Sequence, residues 1–149
     1  MTLGVLRRAA AMLALAILGP ACVAPALNDS QYRSKVDATA SDAISAIQSA
    51  RLTLESVDRN DLPFAPMNVA LSDTEVDLSS ISGTFASVQP PDREMDLLRE
   101  RVLTLLDQAG SLLQAARIQY RRGDLEAALL AIEATNKIGD ELDAIQARY

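Results

Sequence analysis

Residues 92–123, DREMDLLRERVLTLLDQAGSLLQAARIQYRRG, decide the fold. Met95, Leu98, Val102, Leu105, Ala109, Leu112, Ala116 and Tyr120 recur at steps of three or four, with Leu106 and Leu113 beside them. That spacing lines up apolar side chains along one stripe of a helix and cannot fit the two-residue alternation of a strand. Asp92, Glu94 and Asp96 put negative charge at the positive end of the helix dipole, and Arg121 and Arg122 put positive charge at the other end. Gly123 is the residue type that ends helices. A long amphipathic helix from about Asp92 to Arg122 is predicted.

Working outward, Asp124 is placed to cap a further helix carrying Leu125, Ala128, Ile132, Thr135, Ile138, Leu142 and Ile145, which runs nearly to Tyr149. On the other side, Gln89-Pro90-Pro91 closes a helix that starts close to Pro66 and presents Leu71, Thr74, Leu78, Ile81, Phe85 and Val88. Ser79, Ser80, Ser82 and Gly83 weaken its intrinsic preference, so it depends on tertiary packing. The first helix of the set begins at Gln31 with Tyr32, Val36, Ala40, Ala43, Ile47, Ala50, Leu54 and Val57 on one face, and ends near Arg59 at the proline-bearing turn Asn60–Pro66. With only 6 Gly and 6 Pro in 149 residues the chain lacks the turns a sheet requires. The expected fold is all-α: an up-down-up-down antiparallel four-helix bundle over residues 31–149, as one domain.

Composition removes several function classes. There is no His, and Cys22 is the only Cys, so zinc sites, haem ligation by His and His-dependent catalysis lack their residues. Met67 and Met95 alone do not make a haem site. The formal net charge is −6, and residues 1–21 carry Arg7 and Arg8 and no acid, so their removal leaves −8. Such a surface repels nucleic acid, and no nucleic-acid partner is expected.

Residues 1–21 read as an export leader: Arg7 and Arg8, then the apolar run Ala9–Leu18, then the breakers Gly19 and Pro20. The run is too short to span a bilayer, which takes about twenty residues. Leu18-Gly19-Pro20-Ala21-Cys22 resembles the lipobox of bacterial lipoproteins, with Ala21 and Cys22 at its last two places and Gly19 and Pro20 departing from its usual residues. The resemblance implies cleavage before Cys22, lipidation of Cys22 and a membrane-anchored, extracytoplasmic protein, with 22–30 as a tether. The layout is similar to that of small helical lipoproteins of high-GC Gram-positive bacteria. Cleavage after Ala26, within the small-x-small run Ala24-Pro25-Ala26, is the alternative and yields a secreted protein without the thiol.

Within the bundle, Gly123-Asp124-Leu125-Glu126-Ala127-Ala128 resembles the middle of a tetratricopeptide repeat, but a single copy does not make an array, and an ordinary helical hairpin is the reading. Asp73, Glu75 and Asp77 form the most acidic short stretch, in a span from Asn60 to Pro91 that has no basic residue. Asp73 and Asp77 stand one turn apart and are weak candidates for a metal; the simpler expectation is a solvated face, or ion pairs with Arg99, Arg101 or Arg117. A ferritin-like di-metal centre needs inward Glu-x-x-His pairs, which are missing. A Ser–Lys dyad would need Lys35 or Lys137, both expected on the surface.

Together these features lead to the expectation of a cell-envelope lipoprotein acting as a structural or interaction module, with no cofactor, no catalysis and an unidentified protein partner. A small-molecule-binding bundle is the rival, with a pocket near the Ser-rich second helix. Self-association through a second apolar stripe of Ile44, Leu52, Leu106 and Leu113 is the other.

Overall fold

The four stripes become four helices in a computed structural model that describes residues 28–58 and 64–148. They are α1 (Asp29–Asp58), α2 (Phe64–Ala86), α3 (Arg93–Arg121) and α4 (Leu125–Gln146). The leader, Cys22, the alternative cleavage site and the Asn60–Pro63 part of the proline turn lie outside the described residues. Among the described residues there is no strand, and no helix is long and apolar enough to cross a membrane.

The starts of α1, α3 and α4 are each fixed by a short polar side chain. Asn28 caps α1: its Oδ1 accepts from the Gln31 amide at 2.9 Å and its carbonyl from the Tyr32 amide at 3.0 Å. The helix therefore begins two residues ahead of the predicted Gln31, because the cap lies before the first apolar residue. Asp92 caps α3 through the Met95 amide and Asp124 caps α4 through the Ala127 amide, both at 2.9 Å.

The α3–α4 junction is a Schellman turn. The Asp124 amide reaches back to the Gln119 carbonyl and the Gly123 amide to that of Tyr120, with Gly123 at φ 82°. One Gly-Asp pair therefore ends one helix and starts the next.

Around the bundle α1 packs on α2, α2 on α3, α3 on α4 and α4 on α1. Neighbours in sequence are neighbours in space, which is the up-down-up-down antiparallel arrangement. α1 and α3 also meet across the centre, whereas α2 and α4 do not touch. The small buried residues Ala40, Ala43 and Ala50 of α1 and Ala109 and Ala116 of α3 let that diagonal pair approach. α2 consequently rests on two helices, and every other helix on at least as many.

The core follows the predicted faces with a few shifts. All of Tyr32, Val36, Ala40, Ala43, Ile47, Ala50 and Leu54 are buried, as are Leu71, Leu78, Phe85 and Val88. Val57, Ile81, Leu112 and Leu125 are only partly covered, and Met67, which lies ahead of the predicted α2 face, is fully buried. Leu106 and Leu113 belong to the core, Ile44 is partly covered and Leu52 is exposed, so the four do not form a second outward stripe. Among the described residues the two buried polar ones bond to their own helices: Thr74 Oγ1 donates to the Ala70 carbonyl and Thr135 Oγ1 to that of Ile132.

Candidate functional site

Asp73 and Asp77 lie one turn apart on the exposed side of α2. Among the described residues neither has an ion-pair partner, and no group of three or more His, Cys, Asp or Glu is placed to hold a metal. Glu75, between them in sequence, turns toward α3. Its carboxylate accepts from Arg117 Nε at 2.5 Å and from Nη2 at 3.0 Å, a bidentate pair that holds the guanidinium pKa above its ordinary value through that hydrogen bond. Of the three arginines expected to meet this acidic stretch, Arg117 does. Arg101 instead pairs with Glu141 of α4 at 3.6 Å, and Arg99 closes the end of α2 by donating from Nη2 to the Ala86 carbonyl at 2.6 Å.

The α2–α3 seam holds a groove of about 520 Å³. Leu78 and Leu106, nearly fully buried, face it from below, and Gly83, Asp107, Gly110 and Gln114 are on its walls. Two glycines form part of its walls. A Cβ added at Gly83 would meet nothing within 4 Å, and one at Gly110 only the Leu78 side chain at 3.9 Å. The Ser-rich composition of α2 pointed to loose packing here; the contribution of α3 was not readable, because Gly110 and Asp107 become groove residues only once the faces are docked.

A second polar site occupies the end of the bundle where α1 starts, α2 ends and α3 starts. Ser87, Gln89, Asp92, Arg93, Asp96 and Arg99 line a depression of about 430 Å³. Tyr32, with its ring 5.9 Å from that of Phe85, lies fully buried beside it. Burial pushes the phenol pKa up to about 12, with nearby Asp96 adding to the rise and Arg99 opposing it. The Tyr32 hydroxyl and Arg99 Nε are buried without a hydrogen-bond partner among the described residues. At the same end, Arg33 pairs with Glu94 at 3.0 Å, and Gln146 Nε2 donates to the Asp37 carbonyl and to Ser41 Oγ, fastening the close of α4 to α1. Sequence periodicity gave no sign of this cluster, since Asp96 read there as charge at a helix start and Arg99 as a partner for the acidic stretch of α2.

The remaining residues considered for chemistry are dispersed. Met67 and Met95 are both fully buried in apolar surroundings; Lys137 is exposed and Lys35 partly covered. Comparison of the chain with known protein families, with curated proteins and with solved structures finds no match.

Proposed function

We propose that the chain is an exported cell-envelope lipoprotein, anchored through Cys22, whose bundle serves as a structural or interaction module without catalysis. The observation that carries this reading is the filled interior: the inner faces of all four helices are apolar, and both buried threonines are satisfied within their own helices. Recognition is then left to the outer surface. The leader, with its arginine pair, short apolar run and Cys22, supports the address.

The reading also orients the molecule. Asn28 stands six positions after Cys22, a tether of roughly 20 Å when extended. The bundle end that carries Asn28, the α2–α3 turn and the close of α4 would face the membrane, and the Gly123 turn would stand farthest from it. Incorporation of labelled palmitate tests the anchor: the label is expected in the wild type and absent in Cys22→Ala. Turnover of any substrate that a point substitution abolishes would contradict the non-catalytic part.

A second reading, an extracytoplasmic small-molecule-binding bundle, is favoured by one observation, the α2–α3 groove beside the Ser-rich helix. A thermal-shift screen that finds no stabilising compound argues against it.

A further inference from the structure

The outer side of α2 combines features that no other helix brings together. Val69 is 58% exposed and Val76 64% exposed, two turns apart on one ridge. Asp73 and Asp77 stand on the same exposed side. At 100° per residue, Gly83 falls on the border between this ridge and the α2–α3 groove, whose far wall carries Asp107. None of these three aspartates has an ion-pair partner among the described residues.

The other lateral depressions each carry one ion pair, with the further acids Glu100 and Glu133 in their linings. Arg101 and Glu141 pair beside the one between α3 and α4, and Arg51 and Glu55 pair at 2.9 Å beside the one between α1 and α4. The other exposed large apolar residues are single on their helices, or, for Leu97 and Ile118 of α3, six turns apart. Among the described residues, the α2 ridge is the one place where two exposed apolar anchors stand two turns apart, beside three unpaired aspartates and a groove.

We infer that the α2 ridge and the adjoining α2–α3 groove dock a basic amphipathic helix of a partner protein. Val69 and Val76 meet its apolar face, Asp73, Asp77 and Asp107 attract its lysines or arginines, and the glycine-walled groove admits its side chains. A second copy of this chain is a poor occupant, because its own surface is acidic. The inference rests on the interaction-module reading and adds to it the face and the partner's chemistry.

The test uses the purified protein, expressed from its full reading frame, and two synthetic peptides of about four helical turns, one of Lys and Leu and one of Glu and Leu in the same amphipathic order. Amide shifts caused by the Lys peptide are expected to centre on residues 69–83 and 107–114, and the Glu peptide to cause none. The triple variant Asp73→Asn, Asp77→Asn, Asp107→Asn should weaken binding about tenfold. The equal-charge control Glu133→Gln, Asp140→Asn, Asp143→Asn, at exposed α4 positions, should weaken it less than about threefold. Equal losses in the two variants, shifts centred elsewhere, or no binding overturns the inference. Unchanged palmitate labelling of Cys22 in any of those cases separates its failure from that of the lipoprotein reading.

Discussion

Glu75 of α2 and Arg117 of α3 form a bidentate ion pair whose side chains are only 18% and 21% exposed, the least exposed pair across a helix seam among the described residues. It pins α2, which like α4 has no diagonal neighbour, to α3. In a double-mutant cycle of Glu75→Gln and Arg117→Met, urea unfolding should show each single change costing about 1–2 kcal/mol, with a coupling of about 1 kcal/mol. A coupling near zero would mean that the pair is ornamental.

The same glycine-to-alanine change should have opposite signs at two positions. Gly123 holds φ 82° in the Schellman turn, so Gly123→Ala should destabilise by about 1–2 kcal/mol. Gly83 lies inside α2 with open space where a Cβ would stand, so Gly83→Ala should stabilise by about 0.5–1 kcal/mol through helix propensity. Thermal unfolding of the two variants checks the difference.

Most of the fold was legible because its signals are local. Asp92, Gly123 and Asp124 mark helix ends by chemistry that operates over a few residues, and the ends found agree with it. What was not legible depends on how faces meet. Along α3 the predicted stripe passed through Leu112, but the helix buries Leu113 and leaves Leu112 half-covered, since Leu106, Leu113 and Tyr120 align at seven-residue intervals against the neighbouring helices. The groove was half visible for the same reason: α2 showed its serines, while Gly110 and Asp107 showed nothing until α3 was set beside it.

That register shift is measurable. Leu113→Ala should cost about 3 kcal/mol and Leu112→Ala about 1 kcal/mol in chemical denaturation. The reverse order would restore the stripe read from the sequence and contradict the packing of α3.

Tyr32 gives the alkaline behaviour a sign. Its folded pKa, about 12, lies above the ordinary value of 10.0, so the neutral phenol is favoured in the fold. The associated stability is complete below pH 10 and is lost as pH rises from 10 toward 12, because the unfolded chain releases the proton first. Tyr32→Phe should leave stability at pH 7 within about 1 kcal/mol of wild type, since the hydroxyl has no partner to lose among the described residues, and should lessen the decline across that window. A variant that declines as steeply as wild type would place the titrating group elsewhere.

The address of the molecule is decided by the intact mass of the protein recovered from cell membranes. The expected species begins at Cys22, carries the added mass of a diacylglycerol, and is lost in Cys22→Ala. A mature chain that begins at Leu27, free of lipid and found in the medium, would contradict it.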